Sequence, residues 1–325
     1  MSDLLVEPLA RLLAAEAGPG VLAGIGRGDW PAGLWRQVQA LGLPLALVAE
    51  EAGGAGLSWA EVVALWQELG RHGAPVPLGE AMLAQALLAA AGLPAPEGML
   101  ALGQCAAAWG RMASHLLRWE NGRLALHAAG GWEAGANAAG EPRDDLTPAA
   151  LLAEGPLPEA WAGEAPELAL ALLRAAQLTG AAEAALALAV DWANTRHQFG
   201  RPIGRFQAVQ HMLAQLAAEV ALAQAAVAGA AQAADARGLA GAAFEIACAK
   251  VMAGEAGREA AARSHQVLGA IGMTAEHGLH HLTRRLLAWR EEGGSERLWA
   301  ARIGRAALER GGARLWADLT ARDVT

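Results

Sequence analysis

Cysteine is scarce in this 325-residue chain. Cys105 and Cys248 are too few for a disulfide framework, so a reducing, cytoplasmic compartment is expected. Basic residues are also in deficit: Lys+Arg 25 against Asp+Glu 33 gives a formal net charge of -8. No Lys/Arg run dominates any segment, which argues against a nucleic-acid partner. The opening residues carry no basic segment ahead of an apolar core, so no secretory leader is expected. Long uninterrupted apolar runs are missing too. The stretches 81–91 and 217–234 are alanine-rich but broken by Gln, Glu or Asp, so no membrane span is expected and a soluble protein follows.

Apolar residues are abundant, at 54%, enough for large buried cores, and the length points to two or three domains. In the first third, Leu5, Leu9, Leu12 and Leu13 recur at helical spacing. A second helix is expected over 35–41, ended by Gly42 and Pro44. Ser58 with Glu61 reads as a capping box opening a third helix to Gly70, and 80–91 reads as a fourth. Between 94 and 166 seven prolines punctuate the chain, and short strand-like pieces appear at 99–102, 115–119 and 124–127. The last two flank Asn121-Gly122 and predict a hairpin. From 167 on, helical patterns return over 167–193, 207–237, 242–267, 279–288 and 295–320. Gly180, inside the first of these, is expected to permit close helix packing, because in a helix interior it costs about 1 kcal/mol against Ala. The charges of 242–267, Lys250 among them, are expected on a solvated face.

The stretch around which the chain is organised is the bend Asn194-Thr195-Arg196-His197-Gln198-Phe199-Gly200-Arg201-Pro202-Ile203-Gly204-Arg205-Phe206-Gln207. Gly200, Pro202 and Gly204 break the helical pattern, and two of the three phenylalanines, Phe199 and Phe206, stand beside three arginines whose planar forks suit phosphate oxygens. The bend resembles that of the acyl-CoA dehydrogenase family, in which R-x-x-F-G-x-x-I-x-x-(F/H)-Q links two helices of a C-terminal bundle. Arg196, Phe199, Gly200, Ile203, Phe206 and Gln207 fall on that pattern. The turn Glu50-Glu51-Ala52-Gly53-Gly54-Ala55-Gly56-Leu57 is similar to one in the family's N-terminal domain rather than to a dinucleotide-binding loop, since it gives no G-x-G-x-x-G. A second signature, Gln266-Val267-Leu268-Gly269-Ala270-Ile271-Gly272-Met273-Thr274-Ala275-Glu276, resembles the family's Q-x-x-G-G-x-G-x-x-x-E, with Ala270 in place of the second Gly.

The resemblance implies a mainly α fold. Its parts are an N-terminal helical domain (1–93), a shortened β insert (94–166) and a C-terminal antiparallel helical bundle (167–325). It implies FAD, with Arg196, Phe199, Phe206, Gln207, Gln266, Gly269 and Ala270 as binding residues for the cofactor of a neighbouring subunit. It also implies an acyl-CoA substrate, electron-transferring flavoprotein as acceptor, and a homo- or hetero-tetramer built as a dimer of dimers. The family's Thr-Glu-Pro-x-x-Gly-Ser and Lys-x-Trp-x-(Thr/Ser)-Asn segments, which cradle the flavin ring, are missing from 94–166.

Members of the family desaturate the acyl chain with a Glu that takes the Cα proton while a hydride leaves Cβ for the flavin. Gapless counting from Gln266 puts that base at Gly293, and a one-residue deletion puts it at Glu292. The alternative base position, counted back from Arg196, falls at Leu170. Adjacent like charges at Glu291 and Glu292 suggest a solvated turn. Two readings stand: a subunit that catalyses FAD-dependent α,β-desaturation with Glu292 as base, or a non-catalytic partner that completes a neighbour's FAD site. His277 and His280 lie one helical turn apart but lack a third ligand at metal spacing, so no metal is expected. His211, one turn after Gln207, is expected to be an ordinary helix residue.

Overall fold

A computed structural model describes residues 3–103 and 105–321. The extreme ends of the two helical domains, 1–2 and 322–325, lie outside it, as does 104. Five helices come first: α1 (Asp3–Glu16), α2 (Pro19–Ile25), α3 (Ala32–Ala40), α4 (Trp59–Arg71) and α5 (Leu78–Ala90). The capping box forms as its sequence predicts. Ser58 Oγ accepts from the Glu61 N–H, and the Glu61 carboxylate accepts from the Ser58 N–H.

The insert is one five-stranded sheet in the order β1-β3-β4-β5-β2, from β1 (Leu100–Leu102), β2 (Ala107–Ala108), β3 (His115–Glu120), β4 (Arg123–Glu133) and β5 (Arg143–Pro156). The hairpin at Asn121-Gly122 is present, with both residues at positive φ as a type I′ turn requires. β5 is the strand that the sequence hid. Its prolines argue against a strand, yet Pro148 sits where the register with β4 slips, and Pro156 closes the strand, the places where a missing N–H is tolerated.

The bundle follows: α6 (Ala165–Thr195), a small hairpin β6 (His197–Gln198) and β7 (Arg201–Pro202), α7 (Gln207–Gly241), α8 (Ala243–Leu268), α9 (Leu279–Trp289), α10 (Glu296–Arg310) and α11 (Leu315–Thr320). The single helix expected over 295–320 is two, parted at Gly311, whose φ of 86° an L side chain rarely adopts. α6 is the axis of the molecule. Leu172, Leu173, Ala175, Ala176, Leu178 and Ala182 are all fully buried, and each leucine contributes about 1.5–3 kcal/mol by leaving water. Gly180 makes the close approach expected of it: a Cβ there would stand 1.9 Å from the Gln67 carbonyl oxygen of α4. The contact is reciprocal, because a Cβ on Gly70 of α4 would stand 2.0 Å from the Gln177 carbonyl oxygen of α6.

Two expectations are corrected here. α7 is long and apolar enough to cross a membrane by length and composition, with 22% of that stretch buried. In this fold it lies along α6 and α8, its buried line running through Leu216, Val220, Ala223 and Val227 while Leu222 stays exposed. Lys250 of α8 is not on a solvated face. It is fully buried, while Glu255 and Arg258 of the same helix are exposed.

Candidate functional site

The two positions at which the sequence allowed a base meet in space. Gly293 lies in the turn between α9 and α10, and a Cβ on it would stand 3.0 Å from the Leu170 carbonyl oxygen on α6. Beside this contact is a cleft of about 450 Å³, with Leu102, Cys105, Trp119 and Leu170 as apolar wall and Asn137, Arg143, Arg174 and Glu292 as polar wall.

Glu292 faces this cleft, and its carboxylate is fully engaged. Arg143 donates from Nε at 2.9 Å and from a terminal nitrogen at 3.1 Å. Arg174 approaches the second oxygen at 2.8 Å, and Asn137 donates to the first at 2.8 Å. Its side chain keeps 19% exposure. Burial pushes its pKa up, but Arg174 and Arg143 outweigh that and hold it down at about 2. The solvated turn expected from Glu291-Glu292 is therefore half right. Glu291 is exposed, and Glu292 turns inward because two guanidiniums await it.

The charges continue on both sides. Arg174 also pairs with Glu80 of α5 and donates to Gln177 at 2.5 Å. Arg143 reaches Glu141 at 3.1 Å, and Glu141 accepts from Arg285 at 2.9 Å and from the Trp289 indole at 2.9 Å. Three carboxylates thus face three guanidiniums, in a chain that runs from α5 through α6 and the insert to α9. Burial drives the Glu141 pKa up, but Arg285 and Arg143 bring it below the ordinary value. Arg143 and Arg174 are held above theirs by their carboxylates despite burial. The sequence did not single out Glu80, Asn137, Glu141, Arg143, Arg174 or Arg285. Arg174 carried a signal, as the one basic residue of α6.

The turn that carries Glu292 is pinned from α8. Lys250 Nζ donates to the Arg290 carbonyl at 2.8 Å, and Arg290 Nε donates to Glu296 at 2.5 Å. Burial lowers the Lys250 pKa to about 8, against the opposing pull of Glu296. The Trp299 indole closes the turn by donating to the Gly293 carbonyl at 2.8 Å.

The bend motif sits at the other end of α6. Arg196 caps the helix, and its guanidinium lies 5.9 Å from the centre of the Trp192 ring. Phe199 and Gly200 form the tip of the β6–β7 hairpin at φ of 51° and 80°. Phe199 is 92% exposed and meets Phe206 edge to face at 6.1 Å; Arg201 covers Phe206 at 4.2 Å. A bulky side chain in the left-handed region costs about 1–2 kcal/mol, and exposing its ring adds nothing to this chain's own stability. Gln207 opens α7, exposed, and His211 is exposed one turn on.

The second signature comes to the same end. Gln266 is exposed on α8, and Gly269 and Ala270 lie exposed in a short 3₁₀ turn after it. Nothing lies within 4 Å of where a Gly269 Cβ would be, so its backbone is open to a ligand. The Trp192 ring links the two motifs, meeting His277 edge to face at 6.1 Å. His265, His277, His280 and His281 gather here, with the His281 pKa pushed to about 4 by burial and by the neighbouring His280, Arg285 and Arg284. Among the described residues no group of His, Cys, Asp or Glu has metal-binding geometry.

Tested against FAD, the two ends of α6 differ. The exposed arginines, the bare Phe199 ring and the open Gly269 backbone suit an adenosine and pyrophosphate. The cleft, whose polar groups are spent on one another, offers no free donor set for a flavin ring.

Two family models match the chain on either side of the insert. Residues 3–95 match the family description "Acyl-CoA dehydrogenase, N-terminal domain", and residues 170–308 match "Acyl-CoA dehydrogenase, C-terminal domain". The chain is 32% identical to acyl-CoA dehydrogenase IpdE2 of Mycobacterium tuberculosis over 294 residues, 86% of this chain and 88% of that protein. Among solved structures, a chain of the ChsE4–ChsE5 complex from Mycobacterium tuberculosis superposes with a TM-score of 0.80 at 22% identity, over 95% of this chain and 97% of that one. Butyryl-CoA dehydrogenase of Megasphaera elsdenii does so with 0.78 at 17% identity, over 94% and 98%.

Proposed function

The chain belongs to the acyl-CoA dehydrogenase family, a family of oxidoreductases, and from that premise we propose that it is the non-catalytic partner subunit of an FAD-dependent acyl-CoA dehydrogenase. It presents its bend and its Gln266–Gly269 turn to the FAD of a neighbouring chain, and its own cleft does no desaturation. The neighbour's FAD, when bound, supplies the hydride acceptor. Electron-transferring flavoprotein then serves as the acceptor for the assembly.

The observation that carries this reading is the state of Glu292. A base that takes a Cα proton works best with a pKa near the working pH. Glu292, at about 2 and bonded to Arg143, Arg174 and Asn137, has neither the affinity for a proton nor a free lone pair facing substrate. Distance bears on which chain's cofactor the motif meets, under either reading of Glu292. Leu170 and Arg196 are twenty-six residues apart along α6, about 39 Å at 1.5 Å per residue. At that separation we assign the adenosine-side motif and the cleft of one chain to different cofactor positions, with the motif serving another chain. The largely exposed apolar flank of α7 is consistent with burial against such a chain, and the ChsE4–ChsE5 structure is by its description a complex of two named proteins.

The second reading, with Glu292 as base, draws on its placement at the cleft wall beside the Gly293–Leu170 contact. Glu292→Gln in an assembly shown intact by gel filtration separates the two. Desaturation at the wild-type rate is expected; loss of about a hundredfold or more would move the reaction into this chain's cleft.

A further inference from the structure

Sharing no wall residue with the Glu292 cleft is a second cavity of about 400 Å³. It opens where the three parts of the chain meet. The segment between α3 and α4 supplies Val48 and Leu57, the end of α5 supplies Ala86 and Ala89, the turn before α6 supplies Trp161, and the end of α7 supplies Ala234. The floor is core, with Val48, Leu57, Ala86, Trp161, Ala234 and Leu239 all below 9% exposed. The rim is open to solvent and carries Asp235 and Gly238, both exposed. Small alanine side chains leave the volume open, and two indoles flank it, with Trp59 meeting Trp161 edge to face at 5.9 Å. At its rim α7 breaks at Gly238, where an added Cβ would find nothing within 4 Å.

The polar groups of this cavity are few, and they define what fits. Asp235 is the one charged wall residue, and its two oxygens cap α4, accepting from the Trp59 N–H at 2.6 Å and the Ala60 N–H at 3.1 Å. A carboxylate has about four acceptor positions, so each oxygen retains capacity for a donor. No cation lines the cavity to receive an anion. Ser58, the other polar wall residue, is occupied in the capping box. A junction of domains, a mainly apolar and aromatic lining, a volume of a few hundred cubic ångströms and one placed acceptor are the marks of a small-molecule site.

We infer that this cavity binds an uncharged, largely hydrocarbon ring compound carrying one hydroxyl or amine donor directed at Asp235, and that it refuses carboxylates and CoA thioesters. The site is independent of the cleft and of the role proposed for the chain.

The test uses the full chain and the neutral fluorescent probe N-phenyl-1-naphthylamine. Saturable enhancement at one probe per chain is expected, with energy transfer from tryptophan. 1-Naphthol should displace the probe, and 2-naphthoate should be weaker by about tenfold or more, since it meets Asp235 with a like charge. Ala89→Phe, which places a ring in the cavity, should weaken the probe by about tenfold. Ala90→Phe, at an exposed wall position, repeats that test should the first variant melt early. Absence of saturable binding, unchanged binding in a variant that melts like the parent, or equal competition by 2-naphthoate would overturn the inference.

Discussion

The two ends of α6 are built on opposite principles. At its N-terminal end Arg174 sits in a closed network in which every guanidinium has a carboxylate and every carboxylate a guanidinium. At its C-terminal end Arg196, Arg201 and Arg205 form no ion pair among the described residues, and Phe199 stands bare in a strained conformation. The first arrangement consumes its polar capacity within the chain and ties α5, α6, the sheet and α9 together. The second leaves its capacity unspent and contributes little to holding the chain together. A site occupied by its own side chains is finished as a structure, while a site with unsatisfied donors is unfinished until something else arrives.

If that contrast is right, the largest effect comes from breaking the closed end. Glu292→Ala leaves Arg143 and Arg174 buried without it and should cost about 3–5 kcal/mol in urea unfolding. A loss below about 1 kcal/mol would show that the network is only decorative. Next is Gly180→Ala. Its methyl would meet the Gln67 carbonyl at 1.9 Å, so α4 and α6 must separate, at about 1–3 kcal/mol by thermal melt.

Acid should dissolve the same end. The folded pKa of Glu292, about 2, lies below its ordinary value of 4.5. Its contribution is therefore complete above the ordinary value and is lost as pH falls through the folded one. Lys250 behaves in the alkaline range by the same linkage. Its folded pKa of about 8 lies below the ordinary 10.5, so the unfolded chain holds more protons between those values and stability should rise across them. Replacing Lys250 with Met should flatten that alkaline rise in denaturation curves taken from pH 7 to pH 11; an unchanged slope would assign the rise to other groups. The smallest effect belongs to the open end. Phe199→Asn should leave the isolated chain within about 0.5 kcal/mol of the parent, since Asn tolerates the left-handed region. In the assembled enzyme the same change should lower retained FAD, read from visible absorbance.

The open end was the more legible of the two in the sequence, for a physical reason. Arg196, Phe199, Gln207, Gln266 and Gly269 lie in two short contiguous stretches, and punctuation by Gly and Pro marks them off from the helices. The capping box of α4, the Asn121-Gly122 hairpin and the close approach at Gly180 were legible in the same way, being local. The closed end draws Glu80, Asn137, Glu141, Arg143, Arg174, Arg285 and Glu292 from α5, the β4–β5 connection, β5, α6, α9 and the turn after α9, and no local pattern announces such a gathering. Glu292 could be named as a position, but its partners could not. β5 was hidden because its prolines obey a rule about strand position that needs the register to be seen.

Lys250 carries one more consequence. It is the only lysine in the chain, and its amine is sealed beneath the turn between α9 and α10. Reagents that acylate lysine will reach Lys250 only when the bundle opens around it. The rate at which Lys250 is acylated, read by peptide mass, is therefore a direct clock for that opening. It needs no engineered label, and the slowing of that clock on adding a candidate partner chain would register assembly at the bundle from within.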